Sequence, residues 1–162
     1  MRILAIDQST NVCGYACGEP ALMDRVRLVS HGRITLPDTS LGFKMLSLRT
    51  DLDRLFKAVK PALVVYERYH WRSLKSDHAV KALAGVTALI DMVADDHSVE
   101  IADMMPQEVK GACGVRDKDE MIHRMQGLYG LTPREIRDHN HADALGLLAA
   151  YTLRWRQKQE AL

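Results

Sequence analysis

Two short apolar runs that end in acids constrain this chain most. Ile3-Leu4-Ala5-Ile6 stops at Asp7, and Ala62-Leu63-Val64-Val65-Tyr66 stops at Glu67. A strand with one wet face alternates polar and apolar residues, so an unbroken apolar run reads as a strand buried on both faces. Strands of that kind belong to a sheet with helices packed on either side. Hydrophobic residues make up 47% of the 162, which supplies the core such a sheet needs and excludes a disordered chain.

The rest of the pattern fits around those runs. Residues 12–17 and 26–36 read as strands, with Gly18-Glu19-Pro20 as the turn between them, so the chain opens as an antiparallel meander of three strands. Leu41, Met45, Leu48, Leu52, Leu55 and Val59 then recur at helical steps, after the start signals Pro37-Asp38-Thr39-Ser40 and before Pro61. Ala79, Leu83, Val86, Ile90 and Val93 mark a second helix, and residues 99–102 a fifth strand. Met121, Ile122, Met125 and Leu128 mark a third helix. Thr132-Pro133-Arg134-Glu135 reads as a capping box with proline at the first helical position. A final helix runs from about Asn140 to Gln157. The expected fold class is α/β: a mixed five-stranded sheet, three antiparallel strands then two parallel ones, flanked by helices in a single domain over residues 1–162.

Charge and cysteine usage narrow the function classes. Lys plus Arg total 22 against 21 Asp plus Glu, a net charge of +1. That excludes a polycation that coats nucleic acid and leaves room for local basic surfaces. No apolar run reaches the roughly 18 residues of a membrane span, and Asp7 interrupts the start where a signal peptide would stay apolar. The expectation is a cytoplasmic protein without a membrane partner. Cys13, Cys17 and Cys113 are odd in number and lack paired spacing, so they read as buried free thiols. The chain has no Gly-x-Ser-x-Gly elbow and no Gly-Lys-Ser/Thr phosphate loop.

Chemistry concentrates on carboxylates. Ligand sites in open α/β sheets lie beyond the carboxyl ends of the strands, where Asp7 and Glu67 stand. A third acid, Asp143, sits in the run His139-Asn140-His141-Ala142-Asp143-Ala144, read as the first turn of the last helix. The small residues at 142, 144 and 146 would let that helix approach the sheet closely. Singly, each acid has an ordinary reading: a turn former, a solvated strand end, a helix-dipole partner. Jointly they make a hard-oxygen site suited to magnesium or manganese, and two such ions about 4 Å apart clamp a phosphodiester for hydrolysis.

At these motifs the sequence resembles the RuvC-type Holliday junction resolvases of the RNase H-like superfamily. The residues that carry the resemblance are Ile3 to Thr10 with Gly14-Tyr15, Pro61 to Glu67, the set Pro106, Val109-Lys110, Gly111, Gly114, Lys118 and Met121, and Asp143-Ala144-Leu145-Gly146-Leu147. It implies a crossover junction endodeoxyribonuclease, a homodimer that binds four-way DNA junctions and nicks two strands. It implies two Mg2+ (or Mn2+) per site on Asp7, Glu67 and Asp143, with Lys118 or Lys110 steadying the developing charge. Two departures stand out. Gln8-Ser9 replaces the family's Pro-Gly, and Asn140 occupies the position of its fourth metal ligand, with His141 or Asp138 near enough to substitute. That divergence suits a phage or mobile-element enzyme.

Basic residues interleave with aromatics directly after Glu67: Arg68, Tyr69, His70, Trp71, Arg72 and Lys75. That composition suits phosphate contact and base stacking at an opened junction, although Trp71 would serve equally to pack a loop on the core. Lys110 and Arg116, with Lys118, form a second basic set. Three rival readings remain: a nuclease of the same fold acting on flaps, forks or ribosomal RNA precursors; a non-catalytic junction-binding protein; and an actin-like nucleotide binder. The last normally needs two such domains.

Overall fold

The computed structural model describes residues 1–21, 26–68, 76–136 and 138–161. Five strands, β1 (Ile3–Asp7), β2 (Val12–Pro20), β3 (Val26–Thr35), β4 (Leu63–Glu67) and β5 (Glu100–Met104), form one sheet in the order β3-β2-β1-β4-β5. β1–β2 and β2–β3 pair antiparallel, and β1–β4 and β4–β5 pair parallel. The helices among the described residues are α1 (Leu41–Val59), α2 (Asp77–Asp96), α3 (Pro106–Cys113), α4 (Lys118–Tyr129) and α5 (His139–Glu160).

The unbroken apolar runs have the cause the sequence suggests. Alternate residues of a strand face opposite sides of the sheet. Ile3, Ala5, Leu63 and Val65 enter a core with Leu145 and Leu148 of α5, Val109 of α3 and Met121 and Met125 of α4. Leu4, Ile6 and Val64 enter a second core with Leu48, Leu52 and Phe56 of α1 and Val86, Ile90 and Val93 of α2. Both faces of both strands are covered, so neither can alternate. The same parity continues to the strand ends. Asp7 follows Ile3 and Ala5, and Glu67 follows Leu63 and Val65, so both acids belong to the α5 side. The register Ile3↔Leu63 to Ile6↔Tyr66, extended by one residue, sets Asp7 beside Glu67.

α5 lies close against this face because small residues line the contact. Ala142 and Ala144 are fully buried; Gly146, expected to face the sheet as well, instead makes room for Met121 of α4 and Cys113 of α3. Gly14, the β2 partner of Asp7, meets the first turn of α5: a β-carbon there would stand 1.9 Å from the carbonyl oxygen of Asn140. All three cysteines are buried free thiols.

Four local readings change. Gly18-Glu19-Pro20 is not the turn. β2 continues to Pro20, which pairs with Val26 after a register shift at Cys17/Gly18, and a glycine at such an irregularity is a bulge device. The carboxylate of Glu19 bonds the guanidinium groups of Arg2 and Arg27 across that end of the sheet. α3 is a helix where only isolated motif residues stood out. Its own start signals are Pro106 at the first position and Glu108, whose carboxylate accepts from the Met105 N–H at 2.8 Å. The Glu135 carboxylate accepts from the Thr132 N–H and from its hydroxyl, 2.7 Å each, which is half of a capping box, and the segment closes a turn and not a helix. Finally, Asp143 lies beyond the first turn of α5, whose cap is Asp138, accepting from the His141 N–H at 2.9 Å. Asp143 is therefore no helix-dipole partner.

The close approach at Gly14 yields a direct test. Gly14→Ala must push α5 off β2, and overpacking of this kind costs about 1–3 kcal/mol. Urea denaturation should show a lowered midpoint, a loss that an ordinary exposed strand glycine would not give.

Candidate active site

Asp7, Gln8, Glu67, Asn140 and Asp143 line one cleft of about 280 Å³, closed on its other side by Pro106, Val109, Lys110, Asp117, Lys118 and Met121. Each piece arrives for a local reason. The parallel pair β1–β4 delivers Asp7 and Glu67. α5, admitted by Gly14, delivers Asn140 and Asp143. α3 and the start of α4 deliver Lys110 and Lys118.

All three carboxyls are raised, chiefly by burial. The Asp7 carboxyl is pushed well above its ordinary range, first by burial and then by the charges of Asp143 and Glu67. Glu67 is raised by burial and by Asp143. Asp143 is raised by burial, against the opposing pull of Lys118, His139 and Lys110. Lys118 Nζ stands 3.6 Å from the Asp143 carboxylate. Burial makes each negative charge costly and the neighbours add repulsion, so the cleft favours cations and protons. Among the described residues no three Asp, Glu, His or Cys side chains already close round one ion-sized point. The acids share a cleft and do not form a finished cage.

Two amides complete the lining. The Asn140 amide nitrogen donates to the Val12 carbonyl at 2.7 Å, and the Gln8 amide nitrogen donates to the Glu67 carbonyl. A carbonyl can only accept, so these bonds fix which end of each amide is nitrogen. The donor set is thus all oxygen, three carboxylates and two amides, the chemistry of a hard divalent cation.

Of the residues singled out from sequence, Asp7, Glu67, Asp143, Asn140, Lys110 and Lys118 come together. His141 does not join them. It is 1% exposed, its Nε2 lies 2.9 Å from His31 Nδ1, and the two rings stack. With Arg33 and Arg134 they line a separate cavity of about 450 Å³. Asp138 is likewise occupied, by Arg33 at 2.7 Å and by its capping bond. Arg68 is exposed and pairs with Asp103 at 2.6 Å, and Arg116 pairs with Glu120 at 3.2 Å. Tyr69, His70, Trp71, Arg72 and Lys75 lie outside the described residues. Gln8 lines the cleft and His139 stands close enough to act on Asp143, although the sequence alone marked neither as a ligand. His139 precedes Asp143 by four, hence shares its helix face, and Gln8 adjoins Asp7.

A mixed sheet of this order with an acidic cleft at the ends of β1 and β4 defines an RNase H-like α/β protein. No protein-family model matches the chain, but individual proteins do. The chain is similar in sequence to RuvC-type resolvases along most of its length. It is 29% identical over 151 residues to the crossover junction endodeoxyribonuclease RuvC of Synechococcus sp. (strain WH7803), covering 91% of this chain and 95% of that one. The RuvC of Synechococcus sp. (strain CC9902) is 27% identical over 162 residues, covering 98% and 100%. Among solved structures, T. thermophilus RuvC in complex with a Holliday junction substrate superposes with a TM-score of 0.85 at 16% identity, over 97% of this chain and 96% of that one. The fowlpox virus resolvase with its junction DNA gives 0.64 at 13%, over 96% and 99%. Among the described residues no helix is long and apolar enough to cross a membrane.

The raised carboxyl groups have a consequence for stability. A group whose folded pKa exceeds its unfolded value favours the folded state at low pH and loses that contribution as pH rises through the folded pKa. Without divalent ions at pH 7, Asp7→Asn should therefore raise the Tm by roughly 2–4 °C, the shift that about 1 kcal/mol makes at this size. The gain should shrink as pH falls and vanish below the ordinary value of 3.8. Melting curves in EDTA from pH 3 to 8 check it.

Proposed function

We propose that this chain is a metal-dependent, structure-selective endonuclease that resolves four-way DNA junctions by paired nicks, as a single domain acting in a homodimer. The observation that carries the reading is the one cleft shared by Asp7, Glu67 and Asp143, where burial raises all three carboxyls and the charge of Asp143 raises the other two further. Relatives along nearly the whole chain bear the name crossover junction endodeoxyribonuclease. For the dimer, Phe43 and Leu46 on α1 and Met92 on α2 offer exposed apolar surface, at 59%, 67% and 52%.

Two Mg2+ or Mn2+ ions are assigned to the cleft, held by Asp7, Glu67 and Asp143 with Asn140 as a neutral fourth donor. Bound divalent ions supply Lewis acidity, making a water more acidic and offsetting charge on the departing oxygen. The side chains do the remainder. Asp7 and Glu67, fixed on adjacent strands, would set where the ions sit relative to the sheet. Lys118, beside Asp143, and Lys110 reduce the negative potential that would repel DNA and face the charge that grows on the phosphoryl oxygens. Arg68, Arg116 and the segment Tyr69, His70, Trp71, Arg72 and Lys75 are assigned to DNA contact by phosphate pairing and base stacking.

A synthetic four-way junction, a fork and a linear duplex, each incubated with and without Mg2+, provide the test. The expected result is Mg2+-dependent cleavage of the four-way junction with symmetric nicks on two opposed strands. Asp7→Asn should lower the rate by at least about 10²-fold, the scale of losing one key transition-state contact, while gel-shift affinity for the junction persists. Equal cutting of forks would point to a broader branched-DNA nuclease. Binding without cutting under any divalent ion would point to a junction-binding protein.

A further inference from the structure

Among the residues that line the cleft, Gln8 alone has a buried polar atom without a partner; His139, behind Asp143 on α5, leaves its Nδ1 in the same state. The Gln8 amide nitrogen is committed to the Glu67 main-chain carbonyl, and its Oε1 is buried without a hydrogen-bond partner. A buried acceptor left unpaired is destabilising, so such an atom in a polar cleft marks a place where a ligand belongs. The ligand class follows from the atom. An amide oxygen offers lone pairs and no proton, as do phosphate oxygens, so Gln8 Oε1 cannot bind the phosphodiester. It can bind a cation or a water proton. With Asp7 adjoining it in sequence and Glu67 tethering it through the main chain, a hard divalent cation is the natural partner. Neutrality is an advantage here. A fourth carboxylate would add to the repulsion already raising Asp7 and Glu67, whereas an amide adds a donor without a charge.

We propose that Gln8 Oε1 is a neutral oxygen ligand to the divalent cation held by Asp7 and Glu67, at a position where the related family carries proline. The proposal rests on the metal-site reading above, and its test separates the two.

Mn2+ binding is measured without DNA, by isothermal titration calorimetry and by the loss of the free-ion electron paramagnetic resonance signal. The proteins are wild type, Asp7→Asn, Gln8→Met and Gln8→Glu, each first checked by circular dichroism and melting in EDTA. Gln8→Met keeps the shape and removes the oxygen, and should weaken Mn2+ binding by about 10- to 100-fold. Gln8→Glu restores an oxygen and discards the N–H tether, and should bind Mn2+ at least as tightly as wild type. Wild-type affinity in Gln8→Met overturns the proposal. Weakening in both variants also overturns it, because the residue then acts only as a tether for Glu67. Should wild type bind no Mn2+ at all, the metal-site reading falls and this proposal with it. Binding lost in Asp7→Asn but unchanged in Gln8→Met sinks the proposal alone.

Discussion

Asp7 and Glu67 leave the ends of two strands that hydrogen-bond to each other, and that pairing drives two carboxylates into one half-buried cleft. Everything else at the site answers to it. Strand parity points both acids to the α5 side, because the residues two and four positions before them fill the core beneath α5. The absence of a side chain at Gly14 admits the first turn of α5, and a helix so placed brings Asp143 to the same cleft. The site is thus a consequence of how the core packs.

The electrostatic strain explains the surrounding cations. Lys118 and Lys110 both pull the acids down against burial, yet all three carboxyls remain raised. Two lysines do not neutralise the cleft, and a divalent ion is the group whose charge and oxygen preference match what is left. This is a trade of stability for function of the usual kind, in which a destabilised cluster persists because the fold around it is over-determined. It also removes the apparent conflict between a near-neutral chain and a DNA-cutting role: acids gathered inside the cleft balance cations spread around it.

Strand order and the convergence of Asp7, Glu67 and Asp143 were legible because both depend on patterns a sequence displays: unbroken apolar runs, acids at their ends, small residues on one helix. The errors share a different cause. Gly18-Glu19-Pro20 carries turn residues, but the Arg2–Glu19 and Arg27–Glu19 pairs and a bulge keep it in the sheet. Thr132 to Glu135 makes half the bonds of a helix start, the Thr132 hydroxyl donating to the Glu135 carboxylate, and the helix begins instead after the Asp138 cap. α3 is eight residues long and ends at Gly114 in the left-handed region, too short for periodicity to register. Likewise, nothing in the residue order separates Asn140 from His141. Only the helical rotation turns one toward the acids and the other toward His31.

The central claim is that the fold concentrates these carboxylates to hold divalent ions. It is tested most directly by anomalous scattering from crystals of the chain soaked in Mn2+. The account requires anomalous peaks within about 2.0–2.6 Å of carboxylate oxygens of Asp7, Glu67 and Asp143. Peaks confined to the cavity at His31 and His141, or no ordered Mn2+ in the acidic cleft at saturating concentration, would contradict it.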